Sequence, residues 1–239
     1  MCLDIDDTLV DFTRSARCAL SALIGRDDMW PIWVRTTEEH VARVVAGELD
    51  YVSMHAQRTK AFLAELGALI DDDVAGRLEE HRRQMMRSNW RLFGDVLPCL
   101  DWLRAAGVRI AAVTNASGGH QRAKLASLGL AGFVDHVVIA GELGVAKPEP
   151  GIFHEACRVL GVHPEETAHV GDRLELDAIG ARDAGLCGVW LDRVGEHDPA
   201  EDAERLPRGV HVVSSLASLP ELLVCEFAAI APVASVVAS

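Results

Sequence analysis

The sequence predicts an α/β protein, a doubly wound, Rossmann-like parallel sheet with an inserted all-helical domain. Three observations lead there. After Gly94, apolar runs of four to six residues alternate with helical patterns, the texture of parallel strands covered on both faces. From about Thr13 to Phe93, helical spacing continues with no β-branched alternating run, which predicts a separate helical module. Finally, each apolar run stops at a polar group, and open parallel sheets gather ligands at those strand ends. The expected organisation is a core over residues 1–12 and 94–225, a helical domain over 13–93, and a tail over 226–239.

Cys2–Asp6 reads as the end of a buried strand. Only three residues precede Asp4, against about five in a typical strand. Either the strand is truncated or the start codon lies upstream of Met1. Ser15–Ile24 carries apolar residues at helical spacing, and Thr36–Val45 opens with Thr-Thr-Glu-Glu, a capping-box pattern. Ser53–Leu66 and Asp72–Met86 follow, the latter beginning in an aspartate run suited to a helix's positive end. Beyond Gly94, Val96–Ala106 is a helix stopped by Gly107, and Val108–Val113 a strand stopped by Thr114-Asn115. The alternation continues with helix Gln121–Leu128, strand His136–Ala140 and helix Pro150–Leu160, which its proline starts. Strand Thr167–Val170, helix Leu174–Ala184 and strand Gly188–Leu191 come next, then Val210–Val213 with Leu216–Leu223.

Composition narrows the function. The chain has 239 residues, 49% hydrophobic and 25% charged, ordinary for a globular protein. A net charge of −13 argues against nucleic acid as a partner, since phosphate backbones are met by basic faces. Six scattered cysteines without metal-ligand spacing predict reduced thiols and a cytoplasmic location. The charged run Asp4–Asp7 interrupts the place where a secretory signal would need apolar residues. Phe227–Ser239 is apolar but too short to span a bilayer and contains Pro232, so no membrane is expected; a frayed tail or a packing strand is. Only three of the 23 basic residues are lysine (Lys60, Lys124, Lys147), so a lysine at a site is the less frequent choice.

The strand ends carry the chemistry. In an extended chain Asp4 and Asp6 share a face and repel unless a cation or a substrate's counter-ion sits between them. The second strand delivers Thr114 and Asn115, the third leads to Lys147 in Ala146-Lys147-Pro148-Glu149-Pro150, and the fourth to Gly171-Asp172, with Asp177 five residues on. Met singly, these are turn or loop residues. Together they suit attack by a carboxylate on a phosphate ester, where Mg²⁺ at Asp4 and Asp172 removes the repulsion between anions. Lys147 balances the phosphoryl charge, Thr114 and Asn115 donate to phosphoryl oxygens, and Asp6 serves as acid then base. Other motifs fail: an EF-hand loop from Asp4 would want glycine where Leu9 stands, and no phosphate-binding Gly-rich loop exists.

These residues resemble the haloacid dehalogenase superfamily, in its phosphatase branch. The motifs are Asp4-x-Asp6-x-Thr8, Thr114-Asn115, Lys147-Pro148 and Gly171-Asp172-x-x-x-x-Asp177, extended by the run Asp177–Gly185. The likeness covers Cys2–Leu191. It implies that Asp4 forms an aspartyl-phosphate and that Asp6 is the acid/base. It also implies Mg²⁺ held by Asp4, the Asp6 backbone carbonyl and Asp172, with Asp177 and Thr8 in supporting positions. The helical insertion resembles the family's small (C1-type) α-helical cap, in which Arg58, Gln57 and the Gly47-Glu48-Leu49 turn are candidate contacts to the leaving group. Trp30, Trp33, Trp90 and Trp102 are expected to pack, and His40, His55 and His81 to lie at surface or interface positions; His120 has no assignment. The implied activity is hydrolysis of a small phosphorylated metabolite by a monomer or homodimer. The alternatives are a phosphomutase of the β-phosphoglucomutase type and a catalytically idle binding or regulatory module. Dehalogenases of the superfamily lack the second aspartate, so Asp6 disfavours that branch. Phosphonate-cleaving relatives use a cap lysine, and Lys60 reads instead as part of a solvated face.

Overall fold

The computed structural model describes residues 1–116, 118–195 and 206–227; most of the expected tail, 228–239, lies outside them. Six strands, β1 (Cys2–Leu3), β2 (Ala111–Thr114), β3 (His136–Ile139), β4 (Ala168–Gly171), β5 (Cys187–Leu191) and β6 (Val210–Val213), form one sheet. Every neighbouring pair is parallel, in the order β3-β2-β1-β4-β5-β6. The order reverses at β1, between β2 and β4. That crevice is the switch point at which such sheets bind ligands. Two residues suffice for the central strand because its neighbours extend the ladder: Asp4 N donates to Val170 O at 2.9 Å, and Ala111 N to Met1 O at 2.9 Å. Cys2 and Leu3, and beyond them Ile5, Leu9 and Val10, are all fully buried, as expected of a central strand covered on both faces.

The chain divides into two compact units, Phe12–Arg91 on one side and Met1–Asp11 with Leu92–Ser239 on the other. The first is helical: α1 (Phe12–Ile24), α2 (Trp30–Val45), α3 (Tyr51–Glu65) and α4 (Asp72–Ser88). Its core joins Leu20, Trp33, Phe62 and Leu63, with the Trp33 and Phe62 rings edge to face at 5.2 Å. Two starts are set by aspartate caps, Asp50 accepting from Val52 N and Ser53 N, and Asp71 from Val74 N.

The capping box expected at Thr36 is not one. Helix α2 begins a turn and a half earlier, with Pro31 in its first turn. The Thr36 and Thr37 hydroxyls instead donate back to Ile32 O and Trp33 O, both at 2.8 Å, the alternative such residues have inside a helix. His40 is buried, its Nδ1 2.7 Å from Thr36 O. Arg58, a candidate substrate contact, is buried too: it stacks on Trp33 at 4.2 Å and bonds Glu79 at 3.0 Å. Arg82 stacks on the same ring at 4.7 Å and bonds the same carboxylate at 2.8 and 2.9 Å.

The sheet is covered by α5 (Val96–Ala105), α6 (Gly119–Ser127), α7 (Ala140–Leu143), α8 (Pro150–Leu160), α9 (Gly180–Asp183) and α10 (Leu219–Phe227). Three elements depart from expectation, the first being β1, which ends at Leu3 rather than Asp6 because the chain already turns on Ile5 O. Strand β2 begins at Ala111 rather than Val108, because Ile110 N and O are taken by Asp135, through its carboxylate and its amide, each at 2.8 Å. Residues Leu174–Ala184 are not one α-helix. They open with a π-helical turn, Leu174–Ile179, before α9, and a π turn frequently marks a functional position.

Candidate active site

The turn after β1 is built from its own backbone. Leu9 N and Val10 N both donate to Ile5 O, at 3.0 and 2.9 Å, and Asp7 N donates to Val10 O at 2.7 Å. Asp7 sits at φ +60°, the left-handed region that aspartate tolerates better than most residues. The turn carries Asp4 and Asp6 past the sheet edge in opposite hydrogen-bonding surroundings.

Asp4 belongs to a buried charge group. Lys147 Nζ donates to Asp4 Oδ1 at 2.5 Å, to Asp177 Oδ1 at 2.6 Å and to Val113 O at 3.2 Å. The lysine is placed by its backbone: Lys147 N donates to Asn115 Oδ1 at 2.7 Å and Asn115 Nδ2 donates to Lys147 O at 2.9 Å. Asp177 is held three further ways. His169 Nε2 lies 2.8 Å from its Oδ1, Arg173 N donates to its Oδ2 at 3.1 Å, and the π-helical turn carries it inward. A carboxylate only accepts, so Nε2 of the fully buried His169 carries the proton. Gly171 makes the approach possible, because a Cβ there would fall 2.2 Å from Asp177 Cγ.

Charge in this group is unbalanced. Burial pushes Asp4 up to about 8, with Asp177 and Asp172 adding to the rise and Lys147 opposing it. Burial, then Asp177 and Asp7, push Asp172 up to about 7. Burial works against the Lys147 proton as well, but Asp4 and Asp177 outweigh it and hold the ammonium above the usual lysine range. Asp177 goes the other way: burial is overcome by Lys147 and His169, and its carboxyl is held well below the usual range. These groups titrate as a unit. One ammonium serves Asp177 fully, which leaves Asp4 and Asp172 short of positive charge. An oxygen-rich, negatively charged donor set of this kind fits a hard divalent cation such as Mg²⁺. Among the described residues no three His, Cys, Asp or Glu side chains form a metal cluster; two carboxylates and a backbone carbonyl, the set the resemblance implies, need no third side chain.

Asp6 faces a different pair. Lys124 Nζ lies 2.5 Å from Asp6 Oδ1 and Gln121 Nε2 2.8 Å from its Oδ2. Both donors come from one face of α6, three residues apart. Gln121 Nε2 also reaches Thr114 Oγ1 at 3.3 Å, which accepts from Ala116 N as well. The Thr114 hydroxyl therefore keeps its proton to donate elsewhere. Thr8 is wholly buried.

The structure thus brings Asp4, Lys147, Asp177 and, through its charge, Asp172 together, with Asp6, Thr114 and Asn115 around them. Sequence reasoning missed Lys124, Gln121 and His169. Lys124 had a signal, since it is one of three lysines in an arginine-rich chain. Gln121 had only its spacing from Lys124, and His169 looked like one polar residue in a strand.

Comparison with known proteins identifies the family and the fold. A family model described as haloacid dehalogenase-like hydrolase matches residues 1–185. The glyceraldehyde 3-phosphate phosphatase of Methanopyrus kandleri is 34% identical over 80% of this chain and 82% of its own length. The phosphoserine phosphatase of Thermus thermophilus is 38% identical, over 51% of each chain. The solved structure of a Bacillus subtilis HAD-hydrolase bound to magnesium shares the fold, at TM-score 0.76 and 22% identity, over 93% of this chain and 96% of that one.

Proposed function

The chain belongs to the haloacid dehalogenase-like hydrolase family, and from that membership we propose that it is a Mg²⁺-dependent phosphatase of small phosphorylated metabolites, working through an aspartyl-phosphate. The observation that carries this reading is Lys147, which joins Asp4 to Asp177 inside a carboxylate group with surplus negative charge. The metal would be held by Asp4, Asp172 and the Asp6 backbone carbonyl. When bound, it supplies positive charge that lets an anionic nucleophile meet an anionic ester.

The chain's own residues divide the rest. Lys147 holds one oxygen of Asp4, and the other attacks phosphorus. The ester P–O bond breaks as Asp6 gives its proton to the leaving oxygen. Asp6 then takes a proton from water as that water's oxygen attacks the phosphorus, freeing Asp4 and inorganic phosphate. Lys124 and Gln121 orient Asp6 throughout. The Thr114 hydroxyl and the second amide proton of Asn115 donate to phosphoryl oxygens, while Asp177 and Thr8 support the machinery without touching substrate. We assign the core to residues 1–12 and 94–225 and leaving-group choice to the helical insertion, 13–93, acting as a cap.

Asp4→Asn tests this directly. Hydrolysis of p-nitrophenyl phosphate with Mg²⁺ is expected to vanish while the circular dichroism spectrum is retained. A variant turning over at the parent rate removes Asp4 as nucleophile. Screening a panel of small phosphate esters, including a glyceraldehyde phosphate and phosphoserine, then identifies the substrate.

A further inference from the structure

A half-buried ion pair, away from the carboxylate group, takes no part in the chemistry above. Arg193 follows β5 and Asp95 precedes α5, yet Arg193 Nη1 and Nη2 meet Asp95 Oδ2 and Oδ1 at 2.9 and 3.0 Å. This is the bidentate geometry that arginine favours with carboxylates. Both side chains are about 15% exposed (15% and 14%), so solvent screens the pair far less than a surface one.

The pair is wired to the turn that bears Asp4 and Asp6. Arg193 Nη2 also donates to Thr8 O at 2.8 Å, and its guanidinium lies 4.0 Å over the Phe93 ring. Phe93 N in turn donates to Leu9 O at 3.2 Å, and Val10 bridges Leu92 in antiparallel fashion. On its other side Asp95 accepts from Ser215 Oγ at 2.7 Å and from Leu216 N at 2.9 Å, which ties it to the segment after β6. The residues so gathered are where the chain leaves for the helical unit, after Asp11, and where it returns, at Leu92. β1 offers only two ladder residues to anchor the turn. Something else must hold the far side.

We propose that Arg193 and Asp95 are positioning residues that clamp Thr8–Val10 to the returning chain at Leu92-Phe93 and so fix where Asp4 and Asp6 stand. The catalytic consequence rests on the reading of the previous subsection; the clamp itself does not. Reaction rates depend steeply on such placement, a shift of roughly 1 Å costing about a hundredfold.

The test compares Arg193→Met with Arg104→Met, which removes an exposed pair to Asp135 in the same unit. Hydrogen exchange is read by mass spectrometry and NMR. In Arg193→Met the amides of Leu9, Val10 and Phe93 are expected to exchange at least about tenfold faster, while those of Val113, Val170 and Val189 keep their protection. With p-nitrophenyl phosphate, kcat is expected to fall about 10- to 100-fold and KM to change less than about threefold. Arg104→Met should alter neither readout. If Arg193→Met does not fold, Arg193→Lys and Asp95→Asn are read instead, since each keeps the side chain's bulk and breaks the fork. Unchanged exchange at Leu9, Val10 and Phe93, or general loss of protection across the sheet, overturns the clamp. Faster exchange there with kcat unchanged overturns its catalytic role. A parent protein with no phosphatase activity defeats the proposed function, and the exchange data still decide the clamp.

Discussion

Lys147 answers to two carboxylates, 2.5 Å from Asp4 and 2.6 Å from Asp177, with 3% of its side chain exposed. Removing a buried charge from such a group leaves its partners uncompensated, a cost of about 3–5 kcal/mol. Lys147→Met is therefore expected to lower the unfolding free energy by about that much in urea, and to abolish hydrolysis. Loss below about 1 kcal/mol would show that Asp4 and Asp177 do not depend on the ammonium for compensation. At this scale the sequence was readable wherever a residue sits at the end of an apolar run: Asp4, Thr114, Lys147 and Asp172 each stop a strand or its loop. His169 was not. It lies inside β4, fully buried and edge to face with Phe153 at 5.1 Å, and nothing local distinguishes it from a tolerated polar residue. Lys124 and Gln121 depend on where α6 lands relative to β1, a tertiary fact. Asn115 has both side-chain groups bonded to the Lys147 backbone, a positioning task that its place after a strand did not reveal.

Among the elements, α3 and α4 share a buried cluster of charge. Glu79 serves two guanidiniums, those of Arg58 and Arg82, and Thr59 donates to it at 2.7 Å. Burial pushes against its ionisation, but the hydrogen bond from Arg82 and the charges of Arg58 and Arg82 hold its carboxyl below the usual value. Glu79→Gln leaves two buried arginines facing each other across Trp33. We expect it to destabilise the protein by about 3 kcal/mol or more, measured as an early thermal transition, with the sheet unit's chemistry untouched on any folded fraction. A melting temperature within about 1 °C of the parent would refute the account. The same elements show why sequence reading misplaced boundaries. Thr-Thr-Glu-Glu has the letters of a capping box, but Trp30-Pro31 had already begun the helix, and position relative to the first turn decides what a threonine hydroxyl does. The π-helical turn was invisible for a similar reason. The turn carries Asp177, whose partners Lys147 and His169 and whose neighbour Gly171 all lie outside the helix.

At the scale of the molecule, the balance of charge sets a pH dependence that a metal should reverse. Asp4 and Asp172 rise to about 8 and about 7 from an ordinary 3.8. Between pH 4 and 8, roughly, the folded chain then holds protons that the unfolded chain has released. Stability without a cation therefore falls as pH climbs through that window. His169, whose value burial lowers, acts in the opposite sense, losing stability as pH drops below 6.5, but it is one group against two. In EDTA the melting temperature should be lower at pH 8 than at pH 5, and millimolar Mg²⁺ should raise it more at pH 8. Equal shifts at both values would exclude Asp4 and Asp172 as its ligands. The architecture was the most legible level. Alternating apolar runs gave a parallel sheet, and the uninterrupted helical stretch an insertion, because both patterns repeat over many residues. That β1 is short was legible from the few residues ahead of Asp4, but not that its ladder ends at Leu3, and its ability to hold the centre depends on Met1, Asp4 and partners more than a hundred residues away.

That distance has a consequence for how the protein is made. β1 pairs with Ala111-Ala112 on one side and with His169-Val170 on the other. At roughly 5–20 residues per second of synthesis, Leu3 waits on the order of ten seconds or longer for Val170 to exist. Phe12–Arg91 is contiguous and complete long before then. The helical unit can close on the ribosome while the apolar stretch ahead of it still lacks both neighbours. Asp4 is thus made well before Lys147, the partner it must meet.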